Sequence, residues 1–163
     1  MIMKKCLFLD RDGTINKNLG YIYKYENFIW LKDAKKAIQY AYKKDYLIVI
    51  ISNQSGVSRG YFKKKDCDLL NLKINESLKK FKCKIHKFYY AFYHPNFKKK
   101  KYKASYRKPN PGLFFLAKKK MNIDLSKSFM IGDLKSDQIA AKKAGVRFKL
   151  KRNNLLKEVK SII

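Results

Sequence analysis

The strongest constraint on the fold is a regular alternation of short apolar runs with longer amphipathic stretches. The apolar runs cover residues 6–9, 46–51, 88–93, 129–131 and 146–150, and each is short enough to be one buried strand. The stretches between them repeat apolar residues at a helical spacing of three or four. Strands that alternate with helices predict an α/β fold with a mainly parallel sheet and helices on both faces.

Three residues mark the ends of predicted helices. Asp33 is placed to cap the first helix, Pro111 to open the third and Gly145 to end the fourth. The second helix is predicted from an apolar stripe between Cys67 and Phe81. With 163 residues, 19.3 kDa and 46% hydrophobic composition, the chain has the size of one compact domain, which we expect to span residues 1–163.

The net charge of +28 is extreme and would favour an anionic partner such as nucleic acid. However, 35 of the 40 basic residues are lysine, whereas arginine is the better group for bidentate phosphate contacts. Lysine, asparagine, isoleucine, phenylalanine and tyrosine are all abundant, as an adenine- and thymine-rich coding sequence would produce. We therefore expect nucleic-acid binding from this charge to be nonspecific.

The three cysteines, at positions 6, 67 and 83, show no C-x-x-C spacing, which indicates neither a disulfide framework nor a zinc knuckle. A reducing, cytoplasmic compartment is expected. The apolar run at 6–9 is too short for a signal-peptide core, and the run at 47–51 is too short to span a bilayer. We expect a monomer that does not bind membranes.

Two carboxylates stand one residue apart at the end of the first predicted strand, in Asp10-Arg11-Asp12-Gly13-Thr14. The glycine lets the chain leave the extended conformation, so both carboxylates can point into one crevice. Asp10 could attack phosphorus while Asp12 protonates the leaving oxygen, which divides a hydrolysis into two displacements through an aspartyl-phosphate. Alternatively, the segment is a loop with a helix cap.

A nucleophilic carboxylate and a phosphate are both anionic, so a cation must bring them together. Asp133, in the turn after the fourth predicted strand, is a second hard oxygen ligand of the kind that Mg²⁺ binds. Asp137 lies one helical turn further and could support the metal site or position Lys108. Its alternative role is to stabilise a helix N-terminus.

Ser52, Asn53 and Gln54 follow the second predicted strand and offer a hydroxyl and backbone N–H groups to phosphate oxygens. Lys108, with Arg107 beside it, supplies the positive charge that a transferring phosphoryl group requires. Two prolines just after this lysine hold the backbone rigid. Because ligands bind beyond the carboxyl ends of parallel strands, we expect these groups to share one crevice with the acidic residues.

The motifs together resemble the haloacid dehalogenase (HAD) superfamily of phosphatases over nearly the whole chain. The superfamily pattern D-x-D-G-T, Ser or Thr, Lys and G-D-x-x-x-D is matched at 10–14, 52, 108 and 132–137. The resemblance implies a Rossmann-like, HAD-like fold with Asp10 as nucleophile and Asp12 as acid/base. It also implies that Ser52 and Lys108 bind phosphate and that Asp10, the Asp12 carbonyl and Asp133 hold Mg²⁺.

Finer motifs are similar to the branch of heptose bisphosphate and histidinol phosphatases. They are Asp12-Gly13-Thr14-Ile15-Asn16, Gly20-Tyr21, Asn53-Gln54-Ser55-Gly56, Arg59-Gly60 and Arg107-Lys108-Pro109. Spacings of 42 residues from Asp10 to Ser52 and 56 from Ser52 to Lys108 leave no room for a large cap domain. The resemblance implies hydrolysis of the 7-phosphate of D-glycero-D-manno-heptose 1,7-bisphosphate. The alternatives are a histidinol phosphatase, a nucleic-acid 3′-phosphatase and a nucleic-acid-binding protein on the same scaffold.

Two features depart from the pattern of this branch. Many of its members hold zinc with a C-x-H pair and a C-x-C pair, and the matching positions are Ala91, Tyr93, Ala104 and Tyr106. Without thiolates there we expect no zinc, and His94 is expected to be a surface or turn residue. The second departure is Leu134, where heptose enzymes often place a substrate-contacting lysine; Lys135 is adjacent.

Overall fold

The computed structural model describes residues 2–152 and 154–163, and a five-stranded sheet forms its centre. The strands are β1 Cys6–Leu9, β2 Leu47–Asn53, β3 Lys87–Ala91, β4 Phe129–Gly132 and β5 Arg147–Leu150. Their spatial order is β3-β2-β1-β4-β5, and every neighbouring pair is parallel. The predicted α/β class is confirmed.

Helices cover both faces of this sheet. They are α1 Ala34–Lys43, α2 Gly56–Arg59, α3 Lys64–Leu78, α4 Gly112–Met121, α5 Lys135–Ala144 and α6 Leu155–Lys160. Alternate strand residues point to opposite faces, so β1 contributes Leu7 and Leu9 to one core and Cys6 and Phe8 to the other. The first core contains apolar residues of α1, α3 and α6, and the second contains those of α4 and α5.

Several predicted helix and strand ends are wrong. Asp33 precedes α1 but does not cap it, because it adopts φ +61° and its carboxylate accepts a hydrogen bond of 3.0 Å from Asn154 Nδ2. Pro111 occupies the N-cap position of α4, so the predicted start of that helix is confirmed, but Phe81 lies in a 3₁₀ turn after α3. The chain leaves the sheet after Ala91, two residues earlier than predicted, and α6 was not predicted.

No cap domain covers the strand ends within the described residues, as predicted. The two longest connections, residues 10–33 and 92–111, contain only the 3₁₀ turns Tyr25–Asn27 and Ala104–Tyr106 and isolated bridges. Across 2–152 and 154–163, none of the helices has the length and apolar character needed to cross a bilayer.

Candidate active site

The predicted site residues meet at the carboxyl end of the central strand. Because β1 pairs with β2 on one side and with β4 on the other, the strand order reverses direction at β1. Ligands bind at such a reversal in open α/β sheets. Asp10 directly follows β1, Ser52 lies near the end of β2, and Asp133 directly follows β4. A cleft of about 350 Å³ opens above them, and its lining includes Asp10, Asp12, Ser52 and Lys108.

The buried side chain of Lys108 is the centre of the site. Its Nζ lies 2.9 Å from Asp10 Oδ1 and 2.9 Å from the carbonyl oxygen of Ile51, and it also donates to Asp137 Oδ1. Burial disfavours the charge, but Asp10 and Asp137 outweigh it and raise the pKa of Lys108 above its ordinary value. A permanent positive charge therefore faces the cleft.

Asn53 holds the backbone of Lys108 in place. Its side-chain oxygen accepts the Lys108 N–H at 2.9 Å, and its Nδ2 donates to the Lys108 carbonyl at 3.0 Å. The side chain of Asn53 thus connects β2 to the lysine loop, whereas the phosphate contact predicted for this segment uses backbone N–H groups.

Asp137 is fully buried and both of its oxygens are engaged. One accepts from Lys108, and the other accepts the Leu134 N–H at 3.0 Å. A side chain at Gly132 would place its Cβ 2.3 Å from Asp137 Oδ2, so only glycine fits beside this carboxylate. Asp137 was predicted to support the metal site or to position Lys108, and its contact with Lys108 agrees with the second of these roles.

Asp10 and Asp133 form the part of the acidic cluster that remains for a cation. Carboxylate oxygens of Asp10, Asp133 and Asp137 all lie within 4.8 Å of one another, but those of Asp137 are already used. Burial raises the pKa of Asp133, and the charge of Asp10 adds to this effect. Burial likewise raises the pKa of Asp10, which Lys108 partly opposes and Asp137 reinforces.

Two crowded oxygen ligands with raised pKa values are a donor set that suits a hard divalent cation such as Mg²⁺. The D-x-D-G-T loop shapes this pair. Gly13 has φ +86°, and a Cβ there would lie 2.2 Å from Asp133 Oδ2. The Thr14 hydroxyl donates to Asp133 Oδ1 at 3.3 Å. The residues present therefore fit the implied metal.

The carboxylate of Asp12 accepts four hydrogen bonds from protein side chains. Arg11 donates through Nε at 3.1 Å and Nη2 at 3.0 Å, Asn16 donates through Nδ2 at 2.9 Å, and Gln54 donates through Nε2 at 2.9 Å. This leaves the main-chain carbonyl as the group of Asp12 that a metal could contact. Arg11 lies in the motif at residues 10–14 and Asn16 in the motif at residues 12–16, but no role was predicted for either side chain.

The predicted phosphate contact of Gln54 is not available in this conformation. Its Nε2 also donates to Ser52 Oγ at 3.0 Å, its Oε1 accepts from Arg11 at 3.1 Å, and its N–H donates to the Ala91 carbonyl at 2.8 Å. All its polar groups are thus occupied within the protein, because the end of β2 lies against both β3 and the D-x-D-G-T loop. Gln54 supports Asp12 and Ser52 instead.

Two arginines stand beside the cleft without an acidic partner in the described part of the chain. Arg107 donates to the Tyr93 carbonyl at 3.3 Å, and burial together with the charge of Arg59 lowers its pKa. The Arg59 guanidinium lies 2.7 Å from His94 Nε2 and 5.9 Å from the ring centre of Tyr21, which lines the cleft. We call Arg59 and Arg107 the arginine pair.

The loop in which the sequence resemblance placed the missing zinc ligands packs here through aromatic rings. Ala91 is buried in the core, and Tyr106 packs against the same cluster. Phe92 and Tyr102 meet edge to face with ring centres 5.5 Å apart. The three cysteines are free and buried, and all lie outside this loop.

The fold and site together define a class of enzyme. The structure of a HAD-like phosphatase from Mesorhizobium loti matches with a TM-score of 0.86 and 27% identity, over 98% of this chain and 88% of that one. A D,D-heptose 1,7-bisphosphate phosphatase from B. bronchiseptica, solved with magnesium and phosphate, has the same fold, with a TM-score of 0.83 and 24% identity over 96% and 86% of the two chains. The chain is a HAD-type phosphatase, a phosphoric monoester hydrolase.

Sequence relatives narrow this class. A family model described as polynucleotide kinase 3 phosphatase matches residues 5–153. D-glycero-beta-D-manno-heptose-1,7-bisphosphate 7-phosphatases are 37% identical in Haemophilus ducreyi, over 90% of this chain and 82% of the relative, and 38% identical in Helicobacter pylori, over 96% and 86%. The alpha-specific counterpart from Burkholderia mallei is 34% identical over 87% and 76%. The chain belongs to the family of these heptose bisphosphate phosphatases.

Proposed function

We propose that this enzyme removes the 7-phosphate of D-glycero-D-manno-heptose 1,7-bisphosphate in a Mg²⁺-dependent reaction. The observation that carries the chemistry is the position of Lys108 between Asp10 and Asp137, in a cleft that also contains Ser52. A nucleophilic carboxylate, a fixed cation and a hydroxyl are the groups that a phosphoryl transfer needs. Family membership supports the choice of substrate.

Asp10 begins the reaction by forming a bond to phosphorus, while the bond from phosphorus to the C7 oxygen of the sugar breaks. Asp12 gives its proton to that oxygen, so the sugar leaves as an alcohol. Water then attacks phosphorus, Asp12 takes the proton of the water, and the bond to Asp10 breaks to release inorganic phosphate.

Lys108 and Ser52 hold the phosphate oxygens throughout both displacements. Mg²⁺, held by Asp10, Asp133 and the Asp12 carbonyl, would neutralise negative charge on the phosphate and on the nucleophile.

The arginine pair supports a substrate with a second phosphate. Two cationic side chains that lack an acidic partner in the described residues favour an anionic group near the mouth of the cleft. Histidinol phosphate instead carries an ammonium group, which this charge would repel. The exposed side chain of Leu134 lines the cleft and offers no charge of its own.

The second candidate is a nucleic-acid 3′-phosphatase. The matching family model bears the name of such an activity, and the charge of +28 would attract polynucleotides. We also propose a monomer, and we place it in a reducing cytoplasm, a location that the three free, buried cysteines support.

A turnover panel tests the proposal. It compares both anomers of the heptose 1,7-bisphosphate, fructose 1,6-bisphosphate, histidinol phosphate and 3′-phosphorylated DNA near 0.15 M salt. We expect the heptose to be hydrolysed most efficiently, with phosphate kept at C1. Folded Asp10→Asn keeps the shape of the nucleophile and serves as the negative control, which should be inactive. Preferred hydrolysis of 3′-phosphorylated DNA would reject the sugar phosphatase assignment.

A further inference from the structure

We infer that Arg11 is a positioning residue for the protonation of the leaving group. Together with Asn16 and Gln54 it forms a cage of donors around the carboxylate of Asp12. The inference rests on the acid/base role proposed for Asp12, and it adds a function for a side chain that lies behind the cleft lining and contacts it through Asp12 and Gln54.

Arg11 is fully buried and fixed from several directions. Its Nε and Nη2 take one oxygen each of Asp12, and Nη2 also donates to the Ile22 carbonyl at 2.8 Å and to Gln54 Oε1. The guanidinium carbon lies 5.4 Å from the ring centre of Tyr90, whose hydroxyl donates to Asn71 at 2.5 Å. The guanidinium therefore contacts the segment after β1 through Ile22 and contacts β3 through Tyr90, which in turn contacts α3 through Asn71.

Burying a charge this completely is costly unless it is paired and hydrogen-bonded. Arg11 is paired with Asp12 in the two-pronged geometry that only a guanidinium provides, while its Nη1 is buried without a hydrogen-bond partner among the described residues. A lysine would keep the charge but could not reach both carboxylate oxygens at once.

This geometry has a chemical consequence. A carboxylate with free torsions must be oriented before it can transfer a proton, and the donors of the cage hold both of its oxygens. The oxygen that carries the proton can accept from only one donor, so Asn16 or Gln54 gives way there while Arg11 keeps its contact with both oxygens. Arg11 supplies two of the four donors of the cage, so loss of its two hydrogen bonds to Asp12 should impair proton transfer more than phosphate binding.

The choice of leaving group isolates this effect. p-Nitrophenyl phosphate releases a stable phenolate that needs no proton, whereas the alkyl oxygen of fructose 1,6-bisphosphate must be protonated as it leaves. Measuring kcat/KM for both substrates in Arg11→Lys separates loss of acid catalysis from general damage. Arg147→Lys is the matched control, because Arg147 also stacks on an aromatic ring, 3.9 Å from the Phe129 ring centre, but lies on the distant edge strand β5.

We expect Arg11→Lys to lose at least about tenfold more activity on the alkyl substrate than on the aryl substrate, and Arg147→Lys to change neither. Asp12→Asn should show the same selectivity. Adding Arg11→Lys to Asp12→Asn should then cost little more, since the two residues act as one unit.

Equal losses on both substrates in Arg11→Lys, beside a selective loss in Asp12→Asn, would reduce Arg11 to a structural residue and overturn the inference alone. Equal losses in Asp12→Asn would overturn the acid role itself, and the inference with it. If Arg11→Lys does not fold, Asn16→Leu removes a different donor of the cage with nearly the same shape and leaves the contact with Ser52 in place. It should give the same selective loss, and an equal loss on both substrates would overturn the inference.

Discussion

At the scale of single residues, the site combines two carboxylates that protein donors hold with two that lie close together. Asp137 and Asp12 accept hydrogen bonds on both oxygens, whereas Asp10 and Asp133 are crowded and have raised pKa values. The crowding costs stability in the absence of a cation and provides the ligands when one binds. Stability and metal affinity should therefore respond in opposite directions when this pair is changed.

Asp133→Asn tests that opposition. The folded-state pKa of Asp133 is raised above its ordinary 3.8, so ionisation costs stability, and this cost is absent below 3.8 and complete above the raised folded-state value. We therefore expect Asp133→Asn to stabilise the protein in chelator at pH 7 and to lose this advantage in acid. Thermal melts with and without Mg²⁺ measure it.

The same melts should show that Mg²⁺ raises the Tm of the unchanged protein and leaves that of Asp133→Asn nearly constant. Asp124→Asn is a suitable control, because Asp124 is an aspartate outside the site whose pKa is lowered, chiefly by a hydrogen bond from Ser126. An unchanged Mg²⁺ response in Asp133→Asn would remove Asp133 from the metal site.

A second prediction concerns the carboxylate of Asp137. Asp137→Ala would leave the buried ammonium of Lys108 without one of its two acidic partners and the Leu134 N–H without an acceptor. We expect a loss of about 3 kcal/mol in the free energy of unfolding, because breaking a buried pair is costly. Asp137→Asn keeps an acceptor for Leu134 and should lose less, and denaturant unfolding of the two variants would show the order. A larger loss in Asp137→Asn would contradict the assigned contacts.

At the scale of elements, patterns local in sequence were predictable and contacts between distant segments were not. The apolar runs located all five strands, because a buried parallel strand needs little beyond a short apolar stretch. The failure at Asp33 comes from Asn154, which lies 121 residues away. The roles of Asn53 and Gln54 likewise depend on partners up to 55 residues distant, so the motif placed them at the site but could not show which atoms they contact.

The third prediction concerns zinc and the loop between β3 and α4. Aromatic packing between Phe92 and Tyr102 stabilises the segment in which the sequence resemblance places zinc ligands, and the cysteines of this chain lie elsewhere. Elemental analysis of purified protein should find no stoichiometric zinc. Tyr102→Ala should lower the Tm, because it removes an aromatic pair worth about 1 kcal/mol beyond its buried area. One equivalent of chelator-resistant zinc would refute the expectation.

At the scale of the whole molecule, the charge of +28 and the active site should act independently. Nonspecific binding is spread over many lysines and should weaken steeply as salt rises, with little dependence on sequence. Catalysis depends instead on a few groups at one end of the sheet. A single arginine can therefore separate the two properties if its removal changes one of them and leaves the other intact.

Arg107→Ala and Arg152→Ala make that comparison, since each removes one positive charge from the same total, and Arg152 lies exposed outside the catalytic cleft. Both should lower oligonucleotide affinity only slightly and to the same extent. Arg107→Ala alone should slow phosphate-ester turnover, by about 1–3 kcal/mol in kcat/KM, which is the worth of a charged hydrogen bond. Fluorescence anisotropy across a salt series and phosphate release measure the two effects. If Arg107→Ala weakened oligonucleotide binding much more than Arg152→Ala did, the arginine pair would belong to a nucleic-acid site, and the 3′-phosphatase alternative would gain over the sugar phosphatase.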